Sequence, residues 1–286
     1  MTPYTAILKT MIPVSMHINE LPILSFRRTG EQLGLRPEIF DGRLVVIEPM
    51  WHMTFSTESL FCQAVVAADY LTERQMRRAA WRYRLGATRQ GGVIFWQIDH
   101  EDRIHDGKVM YYHPDCHRDK SHLPTWASVL LQRRYQYPDK PKSSHCFFGL
   151  HLLKSQPRSY PTGRGVDSSS GGESPIAIVE SEKTAVILSE RYPQYLWLAT
   201  GGLGEVQVDK FRPLRGRKVV LFPDTDPDGI AYRRWFEAVQ LVMQQPFWED
   251  SPPIYVSPLL EHRATPAQKV RKIDLVDFIY KPIEHD

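Results

Sequence analysis

The chain has 286 residues, of which 42% are hydrophobic and 24% charged, as in an ordinary soluble globular protein with one large or two modest domains. Its net charge of +3 is too small to predict nucleic-acid binding by itself, so any electrostatic argument depends on where the charges lie. Three cysteines without Cys-x-x-Cys spacing argue against a disulfide framework, and no apolar run approaches the roughly 18 residues of a membrane span. We therefore expect a cytoplasmic protein with no membrane partner.

The first 55 residues mix prolines with short apolar pieces, such as the run from Leu44 to Ile47. Such a segment suits a small strand-containing extension or an adaptor, and the sequence does not decide between them. Residues 1–55 are therefore an N-terminal extension of unknown role.

Two helices are predicted next, the first over residues 58–68. The second begins at a capping box formed by Thr72 and Gln75, and Gly86 is expected to end it in the left-handed conformation. Its apolar arc contains Met76, Ala79, Ala80 and Tyr83. Its other arc contains Arg74, Arg77, Arg78, Arg82 and Arg84, with Trp81 among them. This basic arc suits phosphate binding and base stacking, or it is a solvated face with Trp81 packed on a neighbouring element.

A β-hairpin is predicted from Val93–Ile98 through a charged turn to a return strand at residues 108–112. Several histidines and cysteines follow at spacings that do not match a tetrahedral zinc site, so surface or core roles are expected for them. They are His113, Cys116, His117, His122, His145 and Cys146. Residues 156–174 are rich in Ser, Gly, Pro and Arg, which predicts a flexible linker or an insertion in a surface loop.

Three short apolar runs have the length and β-branched content of buried strands. They are Ile176–Val179, Leu196–Ala199 and Val219–Phe222. Helical stretches separate the first two runs and follow the third, an alternation typical of a parallel sheet of βα units. Glu180 follows the first run, and Asp224 and Asp226 follow the third. Because ligand sites in such sheets lie at the carboxyl ends of the strands, these acids are expected to converge around a cation, and their hard oxygen atoms suit Mg²⁺ or Mn²⁺.

The remainder of the chain continues the same alternation. A helix is predicted over residues 230–243, with Trp235, Phe236, Val239 and Val242 on its buried side. A fourth strand is predicted at residues 254–256, and residues 264–280 are predicted to close as one helix that carries Asp274 and Asp277.

Three segments resemble, in order and spacing, stretches of Toprim-type primases from phages and mobile elements. They are Val-Glu-Ser-Glu-Lys-Thr-Ala at 179–185, Ala-Thr-Gly-Gly at 199–202 and Leu-Phe-Pro-Asp-Thr-Asp-Pro-Asp-Gly at 221–229. The strand pair within residues 93–111 is similar to part of the basic N-terminal lobe of those primases. Residues 146–150 and 273–279 resemble the segment before the Toprim strand and the closing helix. The resemblance covers the chain from Ser56 onward.

This resemblance implies an α/β fold in which a smaller α+β primase-type lobe precedes a Toprim domain, a Rossmann-like, mainly parallel sheet flanked by helices. The implied parts are a basic lobe at 56–155, a linker at 156–174 and a Toprim catalytic domain at 175–286. The implied activity is that of a primase-like nucleotidyltransferase, which makes primers on single-stranded DNA from nucleoside triphosphates by two-metal phosphoryl transfer.

The same resemblance implies a setting in plasmid, phage or mobile-element replication. A zinc ribbon usually precedes a replicative primase core, and this chain has no Cys-x-x-Cys, so a separate zinc-binding module and a helicase are implied partners. Two rival functions stay open at this point. One is a Toprim metal-dependent nuclease, and the other is a non-catalytic DNA-binding accessory of replication.

Specific residues follow from the matched motifs. The catalytic and metal-binding set is Glu180, Asp224 and Asp226, with Asp228 as a further metal ligand. The nucleotide-binding set is Lys183, Gly201 and Gly202. The nucleic-acid-binding set is Arg74, Arg78, Trp81, Arg82, Arg103 and Lys108. Alternatives remain, because Asp226 and Asp228 also fit a helix start around Pro227, Lys183 fits an exposed first turn, and the glycines fit a plain turn.

Overall fold

The computed structural model describes residues 38–40, 43–45, 54–135, 144–154 and 173–280. The chain forms two compact units, residues 1–145 and residues 146–286. Most of the N-terminal extension and almost all of the predicted linker lie outside the described residues. None of the described helices is both long and apolar enough to cross a membrane.

In its described residues, the first unit combines three helices with a four-stranded antiparallel sheet. Two short strands, β1 (Glu38–Phe40) and β2 (Arg43–Val45), form an antiparallel pair of their own. The helices are α1 (Leu60–Ala67), α2 (Glu73–Tyr83) and α3 (Ala127–Tyr135). The sheet strands are β3 (Gly86–Ala87), β4 (Val93–Ile98), β5 (Ile104–Met110) and β6 (Thr125–Trp126), in spatial order β3-β4-β5-β6. The predicted hairpin is thus present as β4 and β5, although its return strand begins at Ile104 rather than at Lys108.

Helix α2 begins as predicted and ends differently. The Thr72 and Gln75 capping box is present, and the predicted apolar arc is buried. The left-handed residue at the end is Arg84, with φ 53°, and not Gly86, which lies in β3. Gly86 is needed for another reason, since a Cβ there would lie 2.7 Å from the hydroxyl oxygen of Thr54.

A second glycine, Gly107, allows a close contact between β5 and a side chain of β4. Gly107 lies opposite Trp96, and a Cβ at Gly107 would come within 2.6 Å of the indole ring. The tryptophan therefore packs directly on the glycine backbone, an arrangement that only a residue without a side chain allows.

The second unit contains a four-stranded parallel sheet flanked by helices. Its strands are β7 (Ile176–Val179), β8 (Leu196–Ala199), β9 (Val219–Phe222) and β10 (Tyr255–Val256). Its helices are α4 (Glu182–Arg191), α5 (Ile230–Met243), α6 (Leu259–Arg263), α7 (Pro266–Arg271) and α8 (Leu275–Tyr280), with short 3₁₀ turns between them. Strands β7, β8 and β9 and helix α5 have the bounds that the sequence predicts, so the coarse prediction of an α/β fold with a parallel sheet is confirmed.

The spatial order of this sheet is β10-β9-β7-β8, and its strand pairs are parallel. Read from the other edge, the order is β8-β7-β9-β10, so the second strand of this sheet lies beside the first, followed by the third and the fourth. The direction in which the chain moves across the sheet reverses between the first and third strands. Such a reversal creates a crevice outside the carboxyl ends of those two strands.

Helix α5 packs on the sheet through Trp235, Val239 and Val242, which all lie in the main core of this unit. Phe236 was expected on the same side, but it is 46% exposed and stacks on Tyr232 instead. The reason is geometric. A residue next to Trp235 is rotated by about 100° around the helix axis, which takes it off the stripe formed by positions i, i+4 and i+7.

Two further boundaries differ from the sequence prediction. The tail is broken into α7 and α8 because Lys272 adopts the left-handed conformation with φ 54°, so one continuous helix over 264–280 was wrong. Residues 146–154 lie with the second unit rather than with the first. Phe147 and Leu150 belong to its core, and the Phe148 backbone pairs with Ala199, so burial of these apolar side chains determines the division.

Candidate functional site at the carboxyl edge of the parallel sheet

The crevice at the reversal point brings two predicted acids to one edge of the sheet. Val179 is paired with Phe222 in the parallel register of β7 and β9. Glu180 is the first residue after β7, and Asp224 is the second residue after β9. Both side chains therefore start from neighbouring strand ends, where open α/β sheets bind their ligands.

The loop after β8 holds Glu180 in place through its backbone. The Gly201 N–H donates to the carbonyl oxygen of Glu180 at 2.9 Å, and the Thr200 hydroxyl, which donates to the Gly202 carbonyl oxygen at 3.0 Å, lies 3.4 Å from the Glu180 oxygen. Gly201 has φ 86°, a conformation that favours glycine. The Gly202 N–H donates to the Thr200 hydroxyl at 3.3 Å. Both amides predicted to bind phosphate are thus engaged within the chain, as in the plain turn that the sequence also allowed.

Asp224 is the most unusual group of the site. Its Oδ1 atom is buried and has no hydrogen-bond partner. Burial raises the pKa of Asp224 well above its usual range, and the charges of Glu180 and Asp274 raise it further. An ionised carboxylate in these surroundings is costly unless a cation lies beside it.

Two acids that the sequence did not assign to the site reach it from the tail. The Thr225 N–H donates to the Ile273 carbonyl oxygen at 3.1 Å, which joins the loop after β9 to the start of α8. Asp274 and Asp277 are consequently among the charges that act on Asp224. The only sequence signal for them was the resemblance of residues 273–279 to the closing helix of Toprim primases.

Lys183 lies among these acids, and its side chain is 8% exposed. Its ammonium is 3.0 Å from Asp274 Oδ2 and 4.0 Å from Asp277 Oδ1. The Thr184 hydroxyl donates to Asp274 Oδ2 at 2.8 Å, so α4 supplies two donors to one carboxylate. Although burial opposes ionisation, the Lys183 charge and these hydrogen bonds hold the pKa of Asp274 below its usual value. Lys183 is therefore neither an exposed first-turn residue nor a cation open to solvent.

Asp226 is engaged by the start of α5. Its Oδ1 accepts the N–H groups of Asp228 and Ile230, both at 3.0 Å, and its Oδ2 accepts that of Ala231 at 2.7 Å. Burial opposes ionisation, but these three hydrogen bonds lower the pKa of Asp226. The structure thus uses Asp226 as the helix cap that was the alternative interpretation, and the Asp228 side chain is exposed at the same helix start.

Replacing Asp226 by alanine is expected to lower the free energy of unfolding by about 1–2 kcal/mol, because three helix N–H groups lose their acceptor. Since the folded pKa of Asp226 is lowered, its contribution is present above the unfolded pKa of about 4 and is lost as the pH falls through the folded pKa. Urea unfolding at pH 7 and pH 3 measures both effects. Mn²⁺ affinity should be almost unchanged. A complete loss of Mn²⁺ binding would instead support the ligand role implied by the resemblance.

A divalent ion fits the donor chemistry of this site. Within the described part of the chain, no three His, Cys, Asp or Glu side chains are arranged to hold a metal ion by themselves. Mg²⁺ is usually bound through one or two carboxylates, with waters and substrate phosphates completing its octahedron. Asp224, with its buried oxygen, and Glu180 supply such a pair of hard donors.

The basic arc of α2 is at the surface of the first unit. Arg74 and Arg78 are exposed, Arg82 is half-buried, and Trp81 is 59% exposed with its ring centroid 4.4 Å from that of Phe55. The aromatic pair presents a flat apolar surface among arginines, which suits base stacking better than a fully packed tryptophan would.

The other two predicted nucleic-acid residues have different surroundings. Arg103 is 65% exposed, but its guanidinium contacts Asp99 at 2.8 Å and Glu101 at 2.5 Å. Its charge is thus balanced locally, and it is a weaker candidate than the arginines of α2. Lys108 is half-buried within β5.

The histidines considered for zinc have other partners. His113 and His122 lie 3.5 and 2.7 Å from the carboxylate of Asp119, and His145 stacks on Trp126. The Ser121 hydroxyl and the adjacent His122 lower the pKa of Asp119, which keeps that carboxylate ionised.

The fold and the site together define an α/β protein with an acidic crevice at the reversal point of a parallel sheet. The chain belongs to the family described as a domain of unknown function, DUF6371, whose model matches residues 61–162 and 165–225. The matched residues include Glu180, Lys183 and Asp224 and end at Thr225. No curated protein and no solved structure gives a significant match.

Proposed function

We propose that this protein is a Toprim primase-like nucleotidyltransferase that makes primers on single-stranded DNA from nucleoside triphosphates. The observation that carries the proposal is the buried, unpartnered Oδ1 of Asp224 next to Glu180 at the reversal point of the sheet. A carboxylate kept in such a position destabilises the metal-free fold, so it is better explained by a bound cation than by a structural role. The motif resemblance around both residues gives the proposal its reaction class.

Asp224 and Glu180 are the residues that would hold Mg²⁺ or Mn²⁺. When bound, such an ion supplies charge neutralisation for the triphosphate and lowers the pKa of the attacking 3′-hydroxyl. The Gly201 N–H fixes the backbone of Glu180 at the end of its strand, from which its carboxylate would either ligate the ion or accept the proton of that hydroxyl. Lys183 and Asp274 form a closed ion pair beside them, which keeps a positive charge in the crevice close to Asp224.

The α2 face supplies the nucleic-acid surface of the proposal. Arg74, Arg78 and Arg82 would contact backbone phosphates, and Trp81 with Phe55 would stack a base. Contacts of this kind bind strands of any sequence, so the proposed enzyme would select little by base identity. A helicase and a separate zinc-binding module are proposed as partners in plasmid, phage or mobile-element replication.

The proposal is tested by measuring the incorporation of labelled nucleotides into new strands on a single-stranded DNA template with Mg²⁺ or Mn²⁺. New strands that require both template and nucleoside triphosphates would support it. Template that shortens in the absence of nucleotides would establish the nuclease instead. DNA binding without either product, and without a saturable Mn²⁺ site that depends on Asp224, would establish the non-catalytic accessory.

A further inference from the structure

The Lys183 ammonium lies among carboxylates inside the second unit. Its ammonium lies between Asp274 and Asp277, and the charge of Lys183 also acts on Asp224. A buried ammonium is costly to desolvate, so its position is explained by the carboxylates around it.

Both carboxylate oxygens of Asp274 are already engaged within the protein. Its Oδ2 receives the Lys183 ammonium and the Thr184 hydroxyl, and its Oδ1 accepts the N–H of Asp277 at 2.8 Å. Asp224 contrasts with it, because one of its oxygens is buried without a hydrogen bond. Asp274 is thus balanced by an internal lysine, whereas Asp224 keeps a buried oxygen that suits a bound cation.

We propose that Lys183 takes the place of a second divalent ion, so that the site binds one Mg²⁺ or Mn²⁺, held by Asp224 and Glu180, instead of two. With the ammonium present, one divalent ion already leaves a net charge of only about −1 on the group, and a second ion would be repelled by a fixed positive charge beside it. The inference rests on the proposed function and changes the two-metal chemistry that the sequence resemblance implies.

Binding of Mn²⁺ to the full chain, followed by electron paramagnetic resonance, tests the inference directly. The free-ion signal counts the bound ions, and the bound spectrum shows whether two ions are magnetically coupled. Wild type should bind one saturable Mn²⁺ with the spectrum of an isolated ion, and Asp224→Asn should bind none at the same concentration. Lys183→Met should bind two coupled ions, because Asp274 and Asp277 then lack their counter-ion.

Lys183→Gln is the second variant in case the methionine variant does not fold, since glutamine keeps a hydrogen-bond donor for Asp274 and should also bind two ions. Two coupled ions in wild type would overturn the inference, as would a single ion in wild type and in the folded Lys183 variants alike. Either outcome leaves the proposed function standing. A wild-type protein with no saturable Mn²⁺ would overturn both proposals.

Discussion

Replacing Asp224 by asparagine is expected to abolish primer synthesis and to leave single-stranded DNA binding unchanged or stronger. The substitution removes a carboxylate whose buried Oδ1 has no hydrogen-bond partner. Metal-assisted stabilisation of a reacting phosphate is worth several kcal/mol, so we expect a loss of about 10³-fold or more in rate. DNA binding should not suffer, because the change removes a negative charge that repels phosphates.

The same variant should be more stable than wild type when divalent ions are absent. Burial and the charges of Glu180 and Asp274 raise the pKa of Asp224 in the folded state. A carboxyl group of this kind contributes its full stability below the unfolded pKa of about 4, and that contribution is lost as the pH rises through the folded pKa. The free energy of unfolding of wild type should therefore fall progressively below that of Asp224→Asn as the pH rises above about 4. Below that pH the two proteins should be equally stable.

Urea unfolding across this pH range, a priming assay and a gel shift on the same preparations measure these effects. Asp209→Asn is the matched control, because Asp209 also belongs to the second unit but is 84% exposed and pairs with Arg212 at the surface. It should change none of the three results. Equal loss of priming and DNA binding in Asp224→Asn, or no gain in stability at neutral pH, would contradict the assignment.

The predictable half of the candidate site is the half that depends on local sequence. Strands inside a parallel sheet require uninterrupted apolar runs, so the fully buried β7 and the partly buried β9 could be delimited from composition. Glu180 and Asp224 follow directly from where those runs end. The sequence predicted two alternative roles for Asp226. A carboxylate two residues after Asp224 suits a metal ligand and a helix cap equally well. Three backbone hydrogen bonds select the cap.

The other half depends on contacts between distant parts of the chain. Thr184 and Asp274 are separated by 90 positions, and they meet because α8 packs against α4 after the chain turns at Lys272. No periodicity or capping pattern in the sequence predicts the left-handed conformation of Lys272. The misplaced end of α2 has the same origin, since Gly86 is required by the approach of Thr54 and not by its own turn. Sequence patterns reflect the conformational preferences of neighbouring residues, whereas the conformations at these positions are determined by tertiary packing.

Replacing Lys183 by methionine is expected to destabilise the metal-free protein by about 3–5 kcal/mol, the usual cost of removing one partner of a buried ion pair. Methionine replaces most of the apolar stem but leaves Asp274 and Asp277 without their cation, next to Asp224 and Glu180. Mn²⁺ should recover much of this loss, because an ion that binds only the folded state adds about 2.7 kcal/mol at one hundred times its dissociation constant. Urea unfolding with and without Mn²⁺ measures both quantities.

Lys210→Met separates this effect from the general cost of losing a buried lysine. The Lys210 side chain is 6% exposed and pairs with Glu205, whose side chain is 36% exposed and can be hydrated when the lysine is removed. Its loss should therefore cost roughly 1 kcal/mol or less, apart from lost packing, and Mn²⁺ should not reduce that cost. If Lys183→Met costs no more than Lys210→Met, or if Mn²⁺ leaves its cost unchanged, the ammonium of Lys183 is not the charge that balances the acidic crevice.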